Sequence, residues 1–208
     1  MSLETAVALV AAYLVGSLSG SLLLGRLRGV DIRTQGSGNA GGTNAFRTQG
    51  VAFALGTVLI DIGKGVVAVL LARAAGADAV LQMAAALLAA VGHIWPVFHG
   101  FRGGKGAATM VGGLAALWPM ALLPLIGVWL LVLTTSGYVG LATVLAGLAL
   151  PVWALVEGRD AAWLAFAAIV AALLAWTHRS NLQRLRAGTE HRFDKARVFT
   201  RLWNSRRA

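Results

Sequence analysis

Six long apolar stretches, at 3–24, 51–72, 79–98, 106–133, 138–156 and 161–177, fill most of this 208-residue chain. A helix crossing a bilayer needs about 20 mostly apolar residues, and five of the six stretches have that length. The sixth, 106–133, runs 28 residues and contains Pro119 and Pro124. Proline removes a backbone donor and clashes with the preceding turn, so this stretch is expected to break in two. Only 12% of the residues are charged and 58% are hydrophobic, against about 25% and 45–50% in soluble domains. A soluble globular chain and a disordered one are both excluded. The expectation is an all-α integral membrane protein, a single membrane-embedded domain over 1–208 with a basic tail from 177.

Charge sets the orientation. The loop 25–50 carries Arg26, Arg28, Arg33 and Arg47, and the loop near 99–106 carries Arg102 and Lys105. From 178 onward, eight arginines and Lys195 face only Glu190 and Asp194, a net +7 of the total +10. Basic flanks mark the cytoplasmic side, so this charge reports topology and contact with anionic headgroups, not a nucleic-acid groove. Parity then requires 106–133 to cross twice, or to dip and return, if the tail is to lie inside. The expected bundle has seven helices, N-terminus outside and C-terminus cytoplasmic. No basic residue precedes the first apolar run, which reads as an uncleaved span rather than a signal peptide. Phe199, Leu202 and Trp203 among Arg197, Arg201 and Arg206 suit a helix lying at the interface over about Phe193–Trp203.

Three polar clusters interrupt the apolar runs, all on the expected cytoplasmic side. The first runs from Asp31 to Asn44 and is followed by Arg47. Glycines 36, 38, 41 and 42 permit positive φ and close approach to a ligand, and successive N–H groups can form an anion nest. Ser37, Asn39, Thr43 and Asn44 add neutral donors, and Arg47 adds a charged fork, so phosphate binding is the expectation. The second cluster, Gly92 to Thr109, contains Gly103-Gly104-Lys105-Gly106. His99 stands where the nucleotide-binding P-loop pattern needs its first glycine, and Gly106 where it needs Ser or Thr. ATP hydrolysis is therefore not expected, while Lys105 remains suited to phosphate as a point charge. Trp95, Phe98 and Phe101 read as interface anchors, with an acyl-chain groove as the other reading.

The third cluster is His178 to Glu190. If the last helix continues, His178 and Asn181 share a face, and a histidine beside an amide can serve as a base or orient a hydroxyl. Asp61 and Lys64 sit three apart inside a span, where ionisable residues are costly. They read either as a mutually neutralising pair or as part of a site. His93 near a helix end reads as packing or as support for neighbouring site residues, rather than as a catalytic group. With no cysteine and four scattered histidines, neither a disulfide nor a transition-metal site is expected.

Together these clusters resemble the bacterial acyl-phosphate:glycerol-3-phosphate acyltransferases, the integral-membrane PlsY family. The resemblance is carried by Gly36-Ser-Gly-Asn-Ala-Gly-Gly-Thr-Asn44, by Gly92-His-x-x-Pro with Phe101-Arg-Gly-Gly-Lys-Gly106, and by His178-Arg-x-Asn181 with Arg184-Leu185. Asp31-Ile-Arg33 and Asp61-x-x-Lys64-Gly65 also fit, in the same order along nearly the whole chain. Gly42 departs from the family's usual alanine, Gly140 from its usual serine, and Thr143 from a second frequent serine.

The resemblance implies acyl transfer from acyl phosphate to the sn-1 hydroxyl of glycerol 3-phosphate, yielding lysophosphatidate and inorganic phosphate, the first step of phospholipid synthesis. It implies Arg47 and Lys105 as a phosphate clamp, with backbone N–H groups around Gly36–Gly38 and Gly103–Gly104. Asn39, Thr43 and Asn44 join the substrate site, and Ser37, His178 and Asn181 position glycerol 3-phosphate. The leaving phosphate, rather than a protein base, is implied to take the hydroxyl proton. Besides the two substrates and membrane lipid, no cofactor, nucleic acid or obligatory protein partner is expected. The location implied is a bacterial inner membrane, multi-pass, with the active site facing the cytoplasm.

Two rivals have distinct signatures. The other large class of glycerol-phosphate acyltransferases uses His-x-x-x-x-Asp, but Phe98, Gly104, Gln183 and Ala196 occupy the fifth position after the four histidines. A phosphate transporter would show internal repeats and a midplane site, and no repeat is present.

Overall fold

The computed structural model describes residues 1–197, and these are helical with no strand. The helices are α1 (Leu3–Gly16), α2 (Gly20–Leu27), α3 (Gly42–Gln49), α4 (Val51–Ala74), α5 (Ala79–Ile94), α6 (Ala107–Leu117), α7 (Leu122–Ser136), α8 (Val139–Val156), α9 (Ala161–Thr177) and α10 (Arg179–Arg186). Short side chains start several of them. Asp78 accepts from Leu81 N at 2.9 Å and Asp160 from Ala162 N at 2.9 Å, filling donors that a first helical turn leaves open. The expected interfacial helix to Trp203 lies mostly outside the described residues.

Helix occupies each of the apolar stretches, but their lengths differ from the expectation. Val51–Ala74, Ala79–His99, Pro119–Ser136 and Val139–Val156 are each long and apolar enough to cross a membrane alone. Two further spans require joining bent pairs, α1 with α2 at 51° and α9 with α10 at 53°. The break expected near Pro119 is present, since Leu117 ends α6 and a 3-10 turn over Pro119–Ala121 precedes α7. At 11 residues, α6 extends only about 16 Å, short of the ~30 Å hydrocarbon core.

The first stretch departs more sharply. It was expected as one helix over 3–24, and it breaks at Ser17–Ser19 without any proline. Ser17 Oγ turns back on Tyr13 O at 2.9 Å, a Ser/Gly-type origin for a kink. The groups exposed by the break find partners on α4 and are described with the site.

The described helices group into two compact units, Met1–Pro119 and one beginning at Met120. In the first, α4 packs against α1, α5 and α6, and α1 also against α5. Backbones come unusually close here. A Cβ on Gly16 would strike Ala89, one on Gly65 would strike Thr109 and Gly113, and one on Gly112 would strike Ile62. Close approach through small residues is how helices associate in lipid, where no hydrophobic force drives them together. In the second unit α8 lies between α7 and α9, with α10 against both α8 and α9.

Candidate active site

The first polar loop is built around one buried side chain. Asn44, 1% exposed, accepts from Ser37 N at 2.9 Å and donates to Ile32 O at 3.2 Å and Gln35 O at 3.0 Å. Asn44, expected among the substrate contacts, has both ends of its amide engaged within the loop and so shapes it. Gly36 has φ 55° and Gly38 φ 71°, and a Cβ on Gly36 would collide with the Asn44 amide. Ile32 anchors the loop from below, fully buried with Leu22, Ala40, Ala45 and Phe53. Ser37 remains exposed, while Asn39, Thr43 and Arg47 are half-buried. Thr43 and Arg47 stand four apart on α3, and so on one face.

Arg33 fastens this loop to the second one. Its Nε and Nη2 grip Asp31, the latter at 2.8 Å, and Nη1 donates to His99 O at 2.8 Å and Arg102 O at 3.1 Å. The hydrogen bonds from Arg33 hold the Asp31 carboxyl below the usual carboxylate range. A planar guanidinium can serve a carboxylate and two carbonyls together because its donors diverge in a fixed fork.

The second loop turns on Pro96 O, which accepts from His99 N at 3.0 Å and Phe101 N at 2.9 Å. Gly100 and Phe101 are left-handed at φ 65° and 58°, a conformation uncommon for a bulky residue. The chain then runs back along the end of α5. Gly103 N donates to Ile94 O at 3.1 Å and Gly104 N to His93 O at 3.0 Å. Of the amides expected to form an anion nest around Gly36–Gly38 and Gly103–Gly104, those of Gly103 and Gly104 are thus bonded within the protein, as is Gly38 N, to Gln35 O at 3.0 Å. These glycines matter for lack of a side chain: a Cβ on Gly103 would strike His93 O, and one on Gly104 the His93 ring. Lys105 follows, half-buried, directly before α6. Trp95, Phe98 and Phe101 are 38%, 50% and 57% exposed, as interface anchors would be.

Beneath both loops lies an ion cluster that sequence left open. Lys64 Nζ is 3.1 Å from Asp61 Oδ1, 3.1 Å from Leu18 O and 2.7 Å from His93 Nδ1. Asp61 Oδ1 also accepts from Gly20 N at 3.1 Å. Lys64 thus serves the carbonyl freed by the break between α1 and α2, and Asp61 serves an N–H at the start of α2. His93, expected to pack or to support neighbouring residues, is the third member of this cluster.

The third cluster belongs to the second unit. The last helix does not continue straight, bending at His178, and Asn181 N returns to His178 O at 2.9 Å. His178 is buried and its Nδ1 lies 2.8 Å from Leu174 O. A carbonyl only accepts, so Nδ1 carries the proton and Nε2 is the acceptor in the neutral ring. Asn181 Nδ2 donates to Glu190 Oε1 at 2.6 Å, and Arg184 Nε to Glu190 Oε2 at 2.7 Å. Gly140 faces Asn181, and a Cβ there would come within 2.7 Å of Asn181 Cβ. Thr143 accepts from Trp129 Nε1 at 3.2 Å and donates to Val139 O at 2.9 Å, which occupies it structurally.

The partners of two residues were not legible in the sequence. Arg33 carried a local signal, Asp-x-Arg, but its carbonyl partners lie 66 and 69 residues away. His93 was visible within Gly92-His-x-x-Pro, yet nothing local linked it to Lys64.

A family model described as glycerol-3-phosphate acyltransferase matches residues 6–188. A glycerol-3-phosphate acyltransferase of Synechococcus sp. (strain CC9902) is 43% identical over 92% of this chain and 96% of its own length. One of Prochlorococcus marinus (strain MIT 9313) is 46% identical, covering 90% and 94%. Among solved structures, the glycerol 3-phosphate form of PlsY (YgiH), an integral membrane glycerol 3-phosphate acyltransferase, superposes with TM-score 0.87 at 35% identity, covering 94% and 98% of the two chains. Its lysophosphatidic acid form gives 0.85 at 34% identity over the same shares.

Proposed function

This chain belongs to the glycerol-3-phosphate acyltransferase family, and we propose that its acyl donor is an acyl phosphate and its acceptor the sn-1 hydroxyl of glycerol 3-phosphate. It is an integral-membrane acyltransferase. In the proposed reaction the hydroxyl oxygen attacks the acyl carbonyl carbon, the bond from that carbon to the phosphate oxygen breaks, and inorganic phosphate leaves. The departing phosphate takes the hydroxyl proton. An acyl phosphate is already activated, so little nucleophile activation is needed.

The observation that carries this reading is the Arg33 bridge, which holds the polar loop leading to Arg47 against the loop leading to Lys105. Arg47 and Lys105 supply the two fixed charges that phosphate substrates require. Ser37, exposed on its loop, and Thr43 and Asn39 are proposed as neutral donors to glycerol 3-phosphate. Asn44, Gly36, Gly38, Gly103 and Gly104 keep a place in the site as the frame of its loops. His178 is proposed to orient the acceptor hydroxyl through Nε2, which the Leu174 carbonyl leaves as the accepting nitrogen, and Asn181 to act beside it. The absence of any His-x-x-x-x-Asp pair removes the usual machinery for acyl-CoA.

Purified protein in detergent tests the donor. With glycerol 3-phosphate, acyl phosphate is expected to yield 1-acyl-glycerol 3-phosphate and stoichiometric inorganic phosphate, and acyl-CoA no product. Product from acyl-CoA alone would overturn the donor assignment. The active site is proposed to face the cytoplasm of a bacterial inner membrane, supported by the basic loops and the net +7 of 178–208. A reporter fused after Ala208 is expected to read cytoplasmic; a periplasmic reading would reverse the topology.

A further inference from the structure

We propose that the buried Asp61–Lys64–His93 cluster is a positioning device for Lys105, acting through the contact between the His93 ring and Gly104. The inference rests on the reading of Lys105 as a phosphate ligand.

Lys64 has three N–H donors and three acceptors around it: Asp61 Oδ1, Leu18 O and His93 Nδ1. All three donors are used. Since the ammonium only donates, His93 Nδ1 accepts, and the ring is held as its Nε2–H tautomer. Nδ1 and Asp61 Oδ1, 3.4 Å apart, are then two acceptors that both face the Lys64 ammonium. The orientation of the imidazole is set at one edge by a side chain that is 3% exposed and itself fixed on α4.

The opposite edge of the ring meets the Gly-rich loop. A Cβ on Gly104 would overlap Nε2 and come within 2.9 Å of Cε1, and would stand 3.1 Å from Ala40 O of the first loop. The His93 carbonyl meanwhile receives Gly104 N at 3.0 Å. Gly104 is therefore held by His93 through both ring and backbone, and Lys105 is the next residue. The chain of contacts runs from the helix break at Leu18, through Lys64 and His93, to the backbone that aims Lys105. Positioning of this kind acts on substrate binding, because a misplaced charge loses its phosphate contact while the reacting atoms are unchanged.

Two variants separate this role from simple support of the fold. His93→Asn keeps an acceptor for Lys64 and so keeps the ion cluster satisfied, but it withdraws the ring edge from Gly104. Gly104→Ala keeps all three side chains of the cluster and forces the ring and the loop apart. In steady-state assays of the full chain in detergent, each is expected to raise KM for glycerol 3-phosphate about tenfold, with kcat within about threefold. Because both act on one contact, the double variant is expected to be no worse than the poorer single. A His93→Asn enzyme with parental KM, or a double variant whose effect is the product of the two singles, would overturn the proposal. Lys105→Ala serves as the control. Parental kinetics there would remove the phosphate reading, whereas a defective Lys105→Ala beside a normal His93→Asn would remove only the positioning role.

Discussion

Replacing Lys105 with alanine is expected to lower kcat/KM by about 10²–10³-fold, the usual cost of removing one preorganised charged or polar donor from a developing anion. The reasoning starts from composition. The chain has 18 basic residues, and of those the structure describes, Arg26, Arg28, Arg73, Arg102, Arg179, Arg186, Arg192 and Lys195 are exposed, where water screens them. Lys105 is half-buried at the end of a loop pinned to α5 by Gly103 and Gly104. That loop is pinned again to the first loop by Arg33. A charge carried on a backbone pinned at these points has less to reorganise when a phosphate binds, which is what makes it effective. Phosphate release measured with purified, monodisperse enzyme checks the expectation. Lys105→Arg should recover part of the loss by retaining charge. A Lys105→Ala enzyme within threefold of the parent would sink the clamp.

The second large effect is on stability. Lys64→Ala is expected to destabilise the protein by about 3–5 kcal/mol, the range seen when one member of a buried ion pair is removed. Asp61 would be left as a carboxylate 1% exposed with no cation beside it, and Leu18 O would lose its donor inside a broken helix. By contrast, the paired change Asp61→Asn with Lys64→Met removes both charges at nearly constant volume and should cost much less. Thermal unfolding in detergent is the measurement, with a midpoint about 10 °C lower or more for Lys64→Ala. Equal midpoints for Lys64→Ala and the parent would mean that the break between α1 and α2 is held by something other than this cluster.

The contrast between Asp61–Lys64 and Pro119 shows what kind of information a linear pattern holds. The break near Pro119 was legible because its cause is local: a ring that clashes with its own preceding turn. The break at Ser17–Ser19 was not, because its flanks read as continuous apolar helix, and the groups that stabilise it, Asp61 and Lys64, are more than 40 residues away. Asn44 gives the same lesson at the site. Its presence in a Gly-rich loop was plain, and a surface donor was the natural reading. Only the folded loop places Ser37 N, Ile32 O and Gln35 O around it, so that it braces the loop. Gly103 and Gly104 stood out in the sequence as amide donors, and the fold adds that they leave room for His93.

What the sequence determined by itself was the class of the protein and the inventory of its chemistry. Apolar runs long enough to cross a bilayer, basic residues at their ends, and three polar motifs in family order all depend on neighbours within a few turns. The tertiary structure decided which of those polar residues meet one another and hold the loops in place. Those pairings depend on partners distant in sequence, because each buried donor or acceptor must find one inside the bundle.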